Sequence, residues 1–273
     1  MTRRGYSVWF LTLSLIYGIH VGAGLVARGN IARSQPAIDK YGLPTCGISE
    51  EGRKQGDFIL AYDGRTRTAK WALEFIPPGP ADKEVDRAGM QFKADKDIPP
   101  EIRAAMAAYA HSGYDIGHVA PAADHTSDAD DLKATFTLTN AFPQDPALNR
   151  HQWAMLERYV RKLAEDADVQ GVWVVTAPLW IAETEKAEMD IHTIGEPPVW
   201  VPTHVGKSVL IELQLNGKLT HRMLTWIIPN SNPGDGAFSD FQTSVDEFEE
   251  ALGADIWPAG IPSKESQALE SAK

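Results

Sequence analysis

Four polar side chains on one short stretch carry the chemistry open to this chain. His118 follows a glycine inside Tyr114-Asp115-Ile116-Gly117-His118-Val119-Ala120-Pro121-Ala122-Ala123-Asp124-His125. Asn149, Glu157 and Arg161 follow, spaced with Trp153 in steps of four. A histidine just after a glycine, on a loop entering a strand, is free to face solvent. With an ordinary pKa of about 6.5 it accepts a proton at neutral pH. Asn149 and Glu157 sit two helical turns apart, roughly 12 Å along an axis rising 1.5 Å per residue. That is too far for both to bind one cation directly. It suits a hydrated hard cation held by Asn149 and reached by Glu157 through water, the habit of magnesium. A general base, a metal-bearing asparagine and an arginine for developing negative charge are the parts of a metal-assisted phosphodiester hydrolase. Taken singly, each residue also fits a structural role.

The element that must position three of them is a helix. Asp145 is a good N-cap and Pro146 suits the first helical position. Leu148, Leu156, Val160 and Leu163 supply an apolar face, and Gly171 follows at the exit. Steps of four keep Asn149, Trp153, Glu157 and Arg161 near one face, drifting slowly around it. Between the two clusters, Ala134-Thr135-Phe136-Thr137-Leu138-Thr139 alternates in polarity and reads as a strand. Upstream, 58–62 and 70–75 read as strands paired around an Asp63-Gly64-Arg65-Thr66 turn, and 101–110 as a short alanine-rich helix. Downstream, Val172-Trp173-Val174-Val175-Thr176-Ala177 reads as a central strand. Further strands are expected over 198–202, 208–213 and 222–228, with Asn216-Gly217 turning the last pair. Ser244 with Glu247 is a capping box on a closing helix.

The order Asp-x-Gly-His-x-Ala-Pro-Ala-Ala-Asp, then Thr139-Asn140-Ala141-Phe142-Pro143-Gln144, then Leu-Asn-x-x-x-Trp-x-x-Leu-Glu resembles the DNA/RNA non-specific endonucleases. Lys40-Tyr41-Gly42-Leu43-Pro44, Ala61-Tyr62-Asp63-Gly64-Arg65-Thr66-Arg67, Val201-Pro202-Thr203-His204 and Ile228-Pro229-Asn230 look like the endonuclease G branch. The resemblance implies an α+β fold, a mostly antiparallel central sheet carrying a ββα-metal active-site motif. It implies sequence-nonspecific hydrolysis of DNA and RNA to 5′-phosphate products, and a homodimer. Position by position, His118 matches the general base and Asn149 the direct ligand of the divalent ion. Glu157 matches the residue holding a metal-bound water, and Arg161 an arginine stabilising the transition state. Arg87 matches a phosphate-binding arginine, and Asn140 an asparagine lining the site. Magnesium is expected ahead of manganese on availability. Two positions depart from the family: Ile116 stands where an arginine is usual, and Ala177 where glycine is common. Ile116 and the acidic charge keep alive an alternative, a degenerate nuclease that grips nucleic acid or a partner without cutting. A phosphodiesterase for a smaller or lipid-linked substrate is a third reading.

The whole chain sets looser bounds. Its 273 residues suit one domain with an ample core. The formal net charge of −11 is unusual for a nucleic-acid binder. Local cations matter more, and Arg150, Arg158, Arg161 and Lys162 gather on the motif helix, with Arg65, Arg67, Lys70, Arg87 and Lys93 upstream. One cysteine, Cys46, excludes an internal disulfide and a cysteine-based zinc site, and the histidines form no His-Glu-x-x-His pair. Met1-Thr2-Arg3-Arg4 is basic and 8–27 is almost uncharged, so 1–30 reads as a signal peptide or a membrane anchor. Arg3-Arg4 also suggests a twin-arginine export signal. Export from a bacterial cytoplasm is the expectation, with a mitochondrial address second, because a transit peptide would be richer in Arg and Ser. Residues 31–56 read as linker and N-terminal arm, 57–262 as the nuclease domain, 183–189 within it as a polar loop, and 263–273 as a disordered tail.

Overall fold

The computed structural model describes residues 38–45, 52–80, 85–182, 191–232, 234, 236–259, 261 and 270. The expected signal peptide or anchor, Cys46, the 183–189 loop and all of the 263–273 tail except Glu270 lie outside these. Eleven strands are described in chain order: β1 (Arg53–Gln55), β2 (Phe58–Asp63), β3 (Thr68–Ile76), β4 (Asp115–His118), β5 (Ala141–Gln144), β6 (Val169–Leu179), β7 (Thr193–Ile194), β8 (Val199–Trp200), β9 (His204–Leu215), β10 (Lys218–Pro229) and β11 (Gln242–Thr243). The α-helices are α1 (Met106–Tyr109), α2 (Ala129–Thr135), α3 (Ala154–Leu163) and α4 (Val245–Leu252). Seven strands form one sheet in the order β1-β2-β3-β6-β9-β10-β11, every pair antiparallel. β4 and β5 pair separately, as do β7 and β8. This is the α+β, antiparallel architecture expected.

Period-two alternation explains why the sheet sits where it does. Phe58, Leu60, Val172, Val174, Val209, Ile211, Leu224 and Trp226 point to one face and meet Leu148, Trp153, Leu156 and Val160 of the motif helix. Ile59, Trp71, Trp173, Val175, Leu210 and Met223 point to the other and meet Val245 and Phe248 of α4, with Ile256 and Trp257. Covering on both faces is why β6 carries an unbroken apolar run rather than an alternating one. Asn216 and Gly217 turn β9 into β10 with φ of 51° and 77°, the left-handed pair of a tight hairpin. Ser244 Oγ accepts from the Glu247 amide and Gly253 closes α4 at φ 69°, so the closing helix is capped as anticipated.

Two elements differ from the sequence reading. No strand forms over 134–139. Asp128 caps α2 by accepting from the Asp130 and Asp131 amides, so helix runs to Thr135, and a 3₁₀ turn at Leu138–Asn140 follows. The threonine hydroxyls that suggested a strand bond locally: Thr135 Oγ1 donates to Leu132 O at 2.7 Å and Thr137 Oγ1 to Ala134 O at 3.1 Å. The expected helix over 101–110 shrinks to α1 because tertiary bonds claim its first turn. Arg67 Nη2 donates to Glu101 O, and the Tyr62 hydroxyl donates to Ile102 O while accepting from the Ala104 amide. The N-terminal arm is docked: the Lys40 ammonium and Tyr41 hydroxyl both donate to the Glu212 carboxylate, and Tyr41 packs edge-on against Trp173 at 4.8 Å.

Candidate active site

β4, β5 and the motif helix make one unit. Asp115 lies opposite Gln144 and His118 opposite Ala141. The chain then enters the helix, where Asp145 Oδ1 accepts from the Ala147 and Leu148 amides at 2.8 and 3.2 Å. The first part of that helix, Leu148–Trp153, is π-helical and runs into α3. A π turn is wider than an α turn, so each residue rotates by less than the roughly 100° of an α-helix. Side chains four apart therefore fall back into line. The insertion offsets the drift expected between Asn149 and Glu157.

Asn149 is oriented by a carboxylate. Its Nδ2 donates to Asp115 Oδ2 at 3.0 Å. A carboxylate can only accept, so the amide cannot be flipped and Asn149 Oδ1 is left as an oxygen donor for a cation. Arg150 braces the same carboxylate, Nε to Oδ2 at 2.9 Å and Nη2 to Oδ1 at 2.6 Å. Burial would raise the Asp115 carboxyl, but the bonds from Arg150 and Asn149 hold it below the usual range. Asn149 amide oxygen and Glu157 carboxylate are hard oxygen donors, and they fit a hydrated magnesium-like ion.

His118 ends β4, but it does not stand free in solvent as its position after glycine suggested. Its ring packs against Phe92 at 4.5 Å and edge-on to Phe136 at 5.0 Å, with Nε2 buried and lacking a protein partner. Burial, then the positive charges of Arg87 and His125, push its pKa down to about 3. The imidazole is therefore neutral. Arg87 is exposed and close enough to be felt by this ring, the one place the structure ties it to the site. Gly117 passes directly over Gln144, where a Cβ would meet Oε1 at 2.3 Å.

Asn140 has a different job from the substrate contact expected of it. It is fully buried, and its Nδ2 donates to Ala120 O at 2.9 Å and Thr135 O at 3.1 Å while Oδ1 accepts from the Ala120 amide at 2.8 Å. Both amide hydrogens are spent on backbone, so it staples the chain after His118 to the end of α2. Ile116 is half-buried and packs with Phe92 and Tyr114 against a cluster holding Tyr109, Leu138 and Ala141.

Beneath Glu157 lies a charged network that sequence reasoning missed. Glu74, Thr176 and Lys207 project from β3, β6 and β9 toward the motif helix, each fully buried. Lys207 Nζ donates to Thr176 Oγ1 at 2.6 Å, stands 3.9 Å from Glu74 Oε1, and lies 5.3 Å from the Trp153 ring centre. His125 bridges Asp57 at 2.5 Å and Glu74 at 3.2 Å; burial opposes its charge, but the two carboxylates prevail and push its pKa up to about 10. Arg161 Nη1 donates to Asp124 Oδ1 at 2.7 Å. Glu157 sits among these groups. Burial raises it, Lys207 opposes, Asp124 adds, Arg161 opposes and Glu74 adds, leaving it at about 7. A single charge at a core-facing position of an apolar strand, as at Glu74 and Lys207, is the signal that could have found them.

Known proteins match the chain over most of its length. The family model for DNA/RNA non-specific endonuclease matches residues 34–261. Human "Endonuclease G, mitochondrial" is 35% identical over 221 residues, 79% of this chain and 71% of that protein. Human "Nuclease EXOG, mitochondrial" is 30% identical over 257 residues, 87% and 69% of the two chains. The "Mitochondrial nuclease" of Saccharomyces cerevisiae is 32% identical over 235 residues, 82% and 70%. A crystal structure of an EndoG/EndoGI complex aligns with TM-score 0.75 at 32% identity, covering 86% of this chain and 96% of that one. These names overturn the expected export from a bacterial cytoplasm, since they point to mitochondrial nucleases instead. A basic start before an apolar run is read by membrane-targeting machinery of more than one compartment, so composition alone misplaced it. Among the described residues no helix is long and apolar enough to cross a membrane. The chain belongs to the DNA/RNA non-specific endonuclease family, on its endonuclease G-like side, and is a phosphodiester hydrolase of nucleic acids.

Proposed function

We propose that the chain cleaves DNA and RNA without sequence preference through His118 as general base and a divalent ion at Asn149 Oδ1. The observation that carries this reading is the bond from Asn149 Nδ2 to Asp115, on the strand that ends in His118. It leaves one hard oxygen, Asn149 Oδ1, for a cation, on a residue bonded to the strand that ends in a neutral imidazole. Such an ion, magnesium by preference, would polarise the scissile phosphate and stabilise the leaving 3′ oxygen. His118 takes the proton of the attacking water. A bound phosphodiester is anionic and favours imidazolium, so substrate itself strengthens a base that burial and Arg87 weaken in the free protein. Glu157 would hold a water of that ion in place. Arg87 holds phosphate, and Arg161, anchored by Asp124, faces charge that grows in the transition state.

Incubation with supercoiled plasmid or structured RNA, with magnesium and with EDTA, tests the reading. Nicking of both that requires metal and is lost in His118→Ala is the expected result. Cleavage persisting in EDTA would overturn the metal assignment. Tight binding without cleavage would favour a non-catalytic binding module.

A further inference from the structure

The guanidinium of Arg150 is held in a way that an ordinary surface ion pair does not require. It grips Asp115 through Nε and Nη2, the side-on fork, which leaves Nη1 and its two hydrogens directed away from the carboxylate. No described residue pairs with Nη1, and 65% of the side chain is exposed while Asp115 is only 19% exposed. The oxygen that accepts from Arg150 Nε is the one that accepts from Asn149 Nδ2. One carboxylate thus fixes both the orientation of the proposed metal ligand and the position of the cation next to it. The next residue on the strand, Ile116, brings no charge and turns into an apolar cluster.

We propose that Arg150 is a substrate-contacting residue: its Nη1 edge binds a backbone phosphate beside the scissile bond, with Asp115 as the brace. This rests on the nuclease reading above. A chain with net charge −11 must meet a polyanion through local cations. Without Arg150, the approaching phosphate would face the bare Asp115 carboxylate, hydrogen-bonded to Asn149. With it, the pair is neutral and offers two N–H donors. Arg87 serves the His118 side of the site, and Arg150 the Asn149 side.

Arg150→Gln and Arg150→Lys separate this role from a structural one. Cleavage is read as kcat and KM on duplex DNA at saturating magnesium, and the magnesium activation midpoint and melting temperature are measured beside it. Binding of the same DNA against salt is read in the inactive His118→Ala background. Arg150→Gln should lower kcat/KM about tenfold, mostly through KM, as loss of one charge-assisted contact implies. It should flatten the log–log salt slope by about 0.9, one phosphate's share on duplex DNA. Arg150→Lys should keep most of the slope, and the magnesium midpoint and melting temperature should stay put. An unchanged slope with KM within about twofold of the parent overturns the proposal. So does a raised magnesium midpoint with an unchanged slope, because Arg150 would then act only through Asp115 on Asn149. If the parent protein cleaves nothing, the nuclease reading falls and the proposal with it. If the parent cleaves and Arg150→Gln matches it, the proposal alone falls.

Discussion

Lys207→Met removes a fully buried cation that reaches both Glu74 and Glu157, and the size of the loss follows from what remains. Lys207 is fully buried, bonded to Thr176 and 3.9 Å from Glu74. Methionine fills a similar volume, so little cavity results. Removing one partner of a buried pair costs about 3–5 kcal/mol, because the other charge is stranded. Glu74 keeps His125 at 3.2 Å, and Glu157 keeps Arg161, so the lower end, about 3 kcal/mol, is expected. For a domain of this size that lowers Tm by about 6–12 °C. The loss should depend on pH. Burial raises the Glu74 and Glu157 carboxyls above their unfolded values, Glu157 to about 7. A carboxyl raised in the folded state favours folding when protonated, and that advantage disappears as pH climbs through its folded pKa. Without Lys207 both values rise further, so the penalty is largest near pH 8 and shrinks toward pH 5. Urea unfolding of parent and variant across that range measures it. Glu74→Gln in the Lys207→Met background should recover part of the stability. A loss under about 1 kcal/mol at pH 8, or a gap that ignores pH, would refute the account of the network.

Five further variants test the site. His118→Ala should slow cleavage by about 10²–10⁴ while leaving the melting temperature near that of the parent, checked by single-turnover nicking. Asn149→Ala should raise the magnesium requirement sharply, whereas Glu157→Ala should act mainly on rate; calorimetry showing unchanged metal affinity in the Asn149 variant would displace the ligand assignment. Ile116→Arg must leave the apolar cluster around Tyr109 and Leu138 to keep its charge solvated, so it should cost stability of about 1–3 kcal/mol and bring no gain in kcat/KM. Gly117→Ala places a Cβ 2.3 Å from Gln144 Oε1 and 2.7 Å from its Cβ, so it should destabilise by about 1–3 kcal/mol and displace His118, visible as lost activity at low denaturant.

Much of the fold was legible because it rests on local rules. The Asn216-Gly217 hairpin, the Ser244 cap, the Asp145 start of the motif helix and the apolar run of β6 are each written within a few consecutive residues. The motif likewise offered His118, Asn149, Glu157 and Arg161 as candidates from type and spacing. Tertiary structure decided what those groups experience. Whether His118 faces water or lies between Phe92 and Phe136 depends on residues 26 and 18 positions away in the chain. The strand expected at 134–139 gave way to helix and a 3₁₀ turn because Asp128 caps α2 and Asn140, itself tied to Ala120 just past β4, takes up the Thr135 carbonyl. Asn140 itself read as a site residue, since nothing local reveals that its amide is already spent. Glu74 and Lys207 stand 133 residues apart, on strands that touch opposite sides of β6. Their meeting, and with it the charge state of Glu157, is set by strand order and register. Sequence supplies the groups that can react, while dielectric, hydrogen-bond partners and neighbouring charge are properties of the packed interior, and these fix how each group is protonated and where it points.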